Sequence, residues 1–129
     1  MKYKLFQNRS TFKAREASVE NNWEELFKFP GVLAQQNALM LGSEKFDGWN
    51  DSKYWDHVAD IDAQDLEDVF HIGNMGPESS ITRYAKMHSV SVGDIIVAPD
   101  GRASMVAGFG FDDIDFYPEL VKGPLAFAL

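Results

Sequence analysis

Acidic and histidine side chains lie close together in one short segment, and they are the first candidates for chemistry. Asp56, His57, Asp60 and Asp62 fall within residues 56–62. If this segment is a β-strand, its three carboxylates share one face and His57 points to the other, because side chains alternate along a strand. Clustered carboxylates suit Mg²⁺ or Ca²⁺. Neither an EF-hand loop nor a His-Glu-x-x-His motif is present, however, so we predict no metal site and no cofactor.

A second group of reactive residue types follows in His88, Ser89, Ser91 and Asp94. Nucleophilic catalysis requires a serine, a base and an orienting acid. The Gly-x-Ser-x-Gly turn that presents such a serine in hydrolases does not occur in the sequence. A turn that enters a strand explains Gly93-Asp94 more simply, with Ser91 bonded to a nearby backbone amide. We therefore predict no catalytic residue and expect that the protein is not an enzyme.

Composition limits the class of protein. The 129 residues are 45% hydrophobic and 13% aromatic and include no cysteine. This favours one folded domain over residues 1–129, without disulfides or thiolate metal sites. No apolar run approaches the length of a membrane-spanning helix, and the N-terminus has no signal-peptide core. We expect a soluble, cytoplasmic protein that has no membrane partner.

The charge of the chain is unevenly distributed. The net charge is −8 and the first fifteen residues carry +5, which leaves −13 for the rest. An acidic body repels nucleic-acid phosphates, so nucleic-acid binding is not expected. Its only candidates would be basic residues near the N-terminus with neighbouring aromatic rings for stacking: Lys2, Lys4, Arg9, Lys13, Arg15, Tyr3, Phe6 and Phe12. Two interpretations of the acidity stay open: it serves solubility alone, or it lets the chain mimic nucleic acid or contact a basic protein.

Alternation and helical spacing predict the elements of the first half. Residues 2–7 favour a strand. Helices are expected at residues 18–27 and 32–41, the second ending at Gly42, or as one helix over 19–41 broken at Pro30. Residues 45–53 resemble a loop, and residues 54–61 a second strand. A further helix should begin at Asp62 as its N-cap, with Asp65 at the third helical position, and should end at Gly73.

The second half is organised around a β-hairpin. Pro99-Asp100-Gly101 is a turn sequence between two β-rich runs, and Gly108-Phe109-Gly110 suits a tight bend. A loop is expected over 73–80, a short strand over 81–85, a turn from Asp112 and an apolar tail over 124–129. Together these elements predict an α+β fold, with a small, curved, mostly antiparallel sheet and two or three helices packed on one side.

Two sets of residues could form a contact surface. The first is the aromatic cluster around residues 46–55, and the second is the run of acids that begins helix 62–73. Large rings and like charges are also common in ordinary cores and solvated helix faces. The candidate interaction surface comprises Trp49, Tyr54, Trp55, Asp60, Asp65, Glu67 and Asp68.

The segment from residue 54 to 114 resembles the YodL-like family of small proteins from phages and mobile elements. The similarity is carried by Val-Ala-Asp-Ile-Asp-Ala-Gln-Asp-Leu-Glu-Asp-Val-Phe at 58–70, by Ser-Val-Ser-Val-Gly-Asp-Ile-Ile-Val at 89–97, and by Gly110-Phe111. The common family form has Arg-Ser where this chain has His88-Ser89. The residues that shape this family-signature turn are His88, Ser91, Gly93 and Asp94.

The resemblance implies a phage or mobile-element origin and action in the cytoplasm of the host cell, but it implies no established reaction. The leading hypothesis is a non-catalytic protein–protein interaction module that modulates a host enzyme or defence system. Three alternatives stay open at this point: an acidic nucleic-acid mimic, a small-ligand-binding protein or enzyme, and a virion component. The sequence predicts a protein partner and leaves the oligomeric state undetermined.

Overall fold

An antiparallel sheet of six strands lies at the centre of the computed structural model, which describes residues 1–8, 30–42 and 46–121. The strands are β1 (Lys2–Asn8), β2 (Trp55–Asp62), β3 (Ile81–Arg83), β4 (Ile95–Val97), β5 (Ala103–Val106) and β6 (Phe111–Ile114). Their order across the sheet is β3-β2-β1-β4-β5-β6. The N-terminal strand is therefore central, and its neighbours come from both halves of the rest of the chain. The predicted α+β class with an antiparallel sheet is confirmed.

Within the described residues, three α-helices accompany the sheet: α1 (Pro30–Leu41), α2 (Gly48–Asp51) and α3 (Leu66–Met75). Proline suits the first position of α1, where its missing N–H would have no helical partner. Gly42 ends α1 with a positive φ of 109°, as predicted. The expected helix over 18–27, its alternative join to α1 and the apolar tail over 124–129 lie outside the described residues.

The core is divided between the two faces of the sheet. On one face, Val69 and Ile72 of α3 pack in a cluster with Ile96 of β4. On the other, Ala34 and Ala38 of α1 pack with the neighbouring strand residues Ile95 and Val97. Because adjacent strand residues point to opposite faces, α1 and α3 cover opposite faces. The helices are thus shared between both sides rather than gathered on the one side that we expected.

A β-bulge changes which residues of β2 share a face. Leu5 of β1 pairs with Ala59, but Phe6 pairs with His57, so Val58 is the extra residue. An extra residue reverses the alternation on one side of the bulge. His57 therefore shares a face with Asp60, and Asp56 lies on the other face. This corrects the expectation that Asp56, Asp60 and Asp62 would lie together, opposite His57.

The boundaries of α3 also differ from the prediction. Asp65, not Asp62, is the N-cap, and its side chain accepts a hydrogen bond from Asp68 N at 2.8 Å. Asp62 instead ends β2, where its carboxylate accepts from the N-terminal amine at 2.9 Å. The helix continues through Gly73 and ends only at Gly76, where φ is 88°.

The predicted hairpin is present as β4 and β5, and its turn has the predicted chemistry. Gly101 N donates to Ala98 O at 2.9 Å, Arg102 N donates to Asp100 Oδ1 at 2.9 Å, and Gly101 has a φ of 90°. The segments on either side differ from the prediction. The acidic stretch that was expected to begin a turn at Asp112 forms strand β6, and the loop expected over 45–53 contains α2.

Gly73 matters for close packing rather than for ending a helix. A Cβ atom at this position would lie 2.2 Å from Val90 Cγ2. We expect Gly73→Ala to destabilise the protein by about 1–2 kcal/mol, because overpacking outweighs the better helix propensity of alanine. In a Val90→Ala background the same substitution should cost less, because the contact with Cγ2 is removed and only the Cβ contact at 3.0 Å remains. Urea denaturation of the four proteins measures this coupling, and an undiminished cost in the Val90→Ala background would contradict it.

Candidate functional site

The family-signature turn is held by a buried hydrogen-bond network centred on Gln7 of β1. Gln7 Nε2 donates to Asp94 Oδ2 at 3.0 Å and to His88 O at 2.9 Å, and Gln7 Oε1 accepts from His88 N at 3.1 Å. Asp94 Oδ2 also accepts from Ser91 N at 3.0 Å. Gln7 and Asp94 are buried, where polar groups must be hydrogen-bonded. Ser91 thus contributes its backbone N–H to this turn.

Two further contacts hold the same turn against the core. The indole Nε1 of Trp55 donates to Gly93 O at 2.9 Å. Gly93 has a φ of 96°, and a Cβ atom there would lie 2.4 Å from the amide carbon of Gln35 on α1. The positive φ favours glycine here, whereas the Gln35 amide is the end of a flexible side chain that can move. The turn at residues 88–94 therefore contacts β1, β2 and α1.

The bulge in β2 brings together His57, Asp60 and Tyr84. His57 Nε2 lies 2.8 Å from Asp60 Oδ1, and Tyr84 OH donates to Asp60 Oδ2 at 2.6 Å. The imidazole ring stacks on Phe6, with ring centroids 5.0 Å apart. Asp60 is buried and Tyr84 is exposed. Both oxygens of Asp60 thus bind neighbouring side chains, so the three residues hold one another in place within the fold.

A second histidine borders a surface depression of about 340 Å³, which His88 lines together with Asn74, Glu78 and Arg83. Arg83 binds the Glu78 carboxylate through both terminal nitrogens, and this hydrogen bonding lowers the pKa of Glu78. The His88 Nδ1 atom lies 2.7 Å from Ser89 O and 3.2 Å from Gln7 Nε2. The Arg83, Glu78 and His88 side chains at this depression are therefore already used in contacts within the protein.

The aromatic members of the candidate interaction surface lie at very different depths. Trp49 is exposed and contacts Tyr117 edge-on, with ring centroids 5.7 Å apart. Tyr54 is half-buried, with Lys53 Nζ 5.4 Å from its ring centroid. Trp55 is fully buried and packs on Phe46. Trp55 therefore belongs to the core, which corrects its assignment to a contact surface.

The acidic members are also separated. Asp65 and Glu67 are exposed at the start of α3, and Asp68 is half-buried with its carboxylate accepting from Gln64 N at 3.0 Å. Asp60 is 7% exposed and bound by Tyr84. Asp60 cannot contribute to an exposed acidic surface, because its carboxylate is buried beneath its own partners.

The sequence did not single out the most prominent apolar feature of the surface, which is the tip of the β5–β6 hairpin. Phe109 at this tip is 99% exposed, and Phe70 on α3 is 40% exposed. Ala107 N donates to Gly110 O at 3.0 Å and closes the turn that carries the ring. The prediction of a tight bend at Gly108-Phe109-Gly110 is confirmed. The signal for exposure was a large apolar residue flanked by two glycines.

The described residues give little support for a metal site, a membrane-spanning helix or a surface that stacks on nucleic-acid bases. Within residues 1–8, 30–42 and 46–121, no group of three or more carboxylate or histidine side chains could hold a metal ion. In the same part of the chain, no helix is long and apolar enough to cross a membrane. Tyr3 and Phe6 are buried in the core, so neither ring is available to stack on a nucleic-acid base. Phe12, Arg9, Lys13 and Arg15 lie outside the described residues.

We expect Asp94→Ala to destabilise the protein strongly. The substitution removes a buried charged acceptor from Gln7 Nε2 and Ser91 N, with an expected cost of about 2–4 kcal/mol. The matched control is Asp100→Ala, which removes a similar carboxylate–amide bond in an exposed turn and should cost less than about 1 kcal/mol. Urea denaturation compares the two variants. Equal losses would show that the signature network is not the stabilising feature we describe.

The Tyr84–Asp60 hydrogen bond predicts a pH dependence. This bond, together with desolvation and the charge of Asp60, raises the pKa of Tyr84. Since the folded-state pKa is raised, the bond stabilises the fold fully below the unfolded pKa of about 10, and the contribution is lost as pH rises through the folded pKa. Tyr84→Phe should therefore be destabilising at neutral pH, and the difference from the natural chain should shrink in alkali.

Two measurements check this prediction: urea denaturation at neutral and alkaline pH, and ultraviolet titration of the tyrosinate band. Asp60→Asn removes the charge but retains an acceptor, so it should lower the pKa of Tyr84 partway. A Tyr84 that titrates at its ordinary value in the natural chain would contradict the predicted effect.

Comparison with known proteins finds no family model, no curated protein and no solved structure that matches this chain. The resemblance of residues 54–114 to the YodL-like family therefore stays a prediction. The function must be inferred from the geometry of the chain itself.

Proposed function

We propose that this chain is a non-catalytic protein–protein interaction module whose contact surface is the hairpin tip, defined here as residues 107–110, together with Phe70 of α3. The observation that carries the proposal is the 99% exposure of Phe109. Burying such a ring in a partner gains about 1.5–3 kcal/mol. Aromatic side chains are enriched at protein interfaces for this reason.

The backbone of the hairpin tip supports this role. The Ala107–Gly110 hydrogen bond closes the turn, and β5 and β6 pair directly beneath it. A ring presented on a closed turn loses little conformational freedom on binding, which favours affinity. The half-exposed ring of Phe70 borders the same depression as the backbone of Gly108 and Gly110, so an apolar contact would extend beyond a single side chain.

A non-catalytic role is supported by how the reactive groups are used. His57 and Tyr84 bind the two oxygens of Asp60, and Asp94 binds Gln7 and a backbone amide. These groups stabilise the fold through contacts with one another. The alternative of nucleic-acid mimicry has less support, because Asp60 is buried and Asp62 binds the N-terminal amine.

The proposed biological setting comes from the YodL-like resemblance. On that basis we propose that a phage or mobile element encodes the chain, and that it acts in the host cytoplasm by modulating a host enzyme or defence system. The acidic body would steer the module towards a basic partner, and salt would weaken the encounter. Fold and family do not by themselves determine function, so the contact surface is the part to test.

Site-specific photo-cross-linking tests the proposed surface. A photoreactive phenylalanine analogue is placed at position 109, at Met40 or at Trp49 in the full chain, and the cross-linked proteins from bacterial cytoplasm are identified by mass spectrometry. Met40 is 78% exposed on α1 and Trp49 is 66% exposed, so both serve as exposed controls. We expect one reproducible protein at position 109 and not at position 40. Cross-linking at position 49 alone would instead favour the aromatic surface predicted from sequence.

Phe109→Ser tests the same surface by removing the exposed ring. Because the ring is almost fully exposed, stability should change by less than about 0.5 kcal/mol. Capture of the protein that was cross-linked at position 109 should be lost. Undiminished capture by this variant would refute a role for the hairpin tip.

A further inference from the structure

Two depressions flank the start of α3, and they share two lining residues. One of about 320 Å³ lies between α3 and the hairpin tip and is lined by Glu67, Phe70 and Phe111 among others. The other, of about 460 Å³, extends towards the β4–β5 turn and is also lined by Glu67 and Phe111. The two depressions adjoin at these two side chains, and we call them together the α3–hairpin groove.

The floor of this groove is apolar. Phe70 is 40% exposed, and Leu66 and Phe111 are partly buried members of the core that border the depressions. Apolar side chains of this kind could bind an apolar face of another molecule. A groove between a helix and a sheet edge is a common place for an amphipathic segment to bind.

The charged groups that line the groove are mainly acidic. Among the described lining residues they are Asp65, the N-cap of α3, Glu67 of its first turn and Asp100 of the β4–β5 turn, and Arg102 opposes them. All four residues are exposed. A ligand with positive charges beside an apolar face would therefore match both the floor and the rim.

We propose that the α3–hairpin groove binds a positively charged, amphipathic peptide segment of the partner protein. This inference rests on the proposed interaction function and adds the chemistry of the partner. A second copy of this chain that docked groove to groove is a poorer occupant, because the acidic rims of the two copies would approach each other. The apolar face of the bound segment covers Phe70 and Phe111, and its lysine or arginine side chains lie near Glu67, Asp65 and Asp100.

Fluorescence anisotropy with a defined probe tests the inference. The probe is a labelled amphipathic peptide of lysine and leucine with one phenylalanine, and the control peptide has glutamate at every lysine position. We expect the basic peptide to bind the full-length protein, more weakly as salt increases, and the acidic peptide not to bind. Equal binding of the two peptides, or of neither, would overturn the proposal.

Charge reversal locates the binding site. Glu67→Lys changes the residue at which the two depressions meet, and Glu119→Lys makes the same charge change at an exposed position that does not line the groove. Glu67→Lys should weaken peptide binding by about five- to tenfold, and Glu119→Lys by less than about twofold. Equal effects of the two variants would mean that the peptide responds only to net charge, and this would also overturn the proposal.

The two proposals fail in different ways. If Phe109→Ser abolishes capture of the cross-linked partner but the basic peptide does not bind, the interaction function stands and the groove is not its basic-segment site. If the peptide binds and responds to Glu67→Lys but nothing cross-links at position 109, the groove is a binding site that does not use the Phe109 ring. Circular dichroism of each variant confirms that the fold is retained.

Discussion

The hydrogen bonds between Gln7 and the 88–94 turn are the interaction on which the described fold depends most. Gln7 lies in the central strand, and the turn leads directly into β4, the next strand of the sheet. The backbone of the turn also pairs with β5, where Gly93 N donates to Val106 O at 2.8 Å. A buried amide and carboxylate are costly unless both are hydrogen-bonded. The register in which β4 pairs with β1 therefore depends on the side chains of Gln7 and Asp94.

The bulge at Val58 explains why the sequence predicted strand β2 but misplaced its side chains. The sequence correctly indicated a strand near residues 54–61, which include the β-favouring residues Tyr54, Trp55, Val58 and Ile61. The bulge depends on how β2 pairs with β1, about fifty residues away in sequence, and no local pattern reports that pairing. One extra residue was enough to move His57 to the face of Asp60. The shared face that simple alternation predicted for the three carboxylates was therefore wrong.

Short sequence patterns predicted the structure correctly where their residues act on the neighbouring backbone. Pro99-Asp100-Gly101 predicted its turn because each residue acts on the backbone next to it. The N-cap of α3 was predicted three residues too early, because Asp62 and Asp65 are chemically equivalent candidates. Asp62 pairs with β1 as part of β2, and Asp65 is therefore the N-cap. Exposure was hardest to predict. Trp55 and Phe109 are both large aromatic residues, yet one is buried and the other is at a hairpin tip, because burial depends on tertiary packing.

The acidic residues of this chain serve distinct roles that net charge alone does not separate. Asp60 and Asp94 are internal hydrogen-bond acceptors, and Asp65 caps a helix. In β6, the last strand of the described sheet, Asp112 and Asp113 are exposed. Charged residues on an outer strand oppose non-specific pairing with strands of other chains. The same hairpin that presents Phe109 thus disfavours backbone association through β6, which fits the proposal that recognition uses side chains at its tip and in the neighbouring groove.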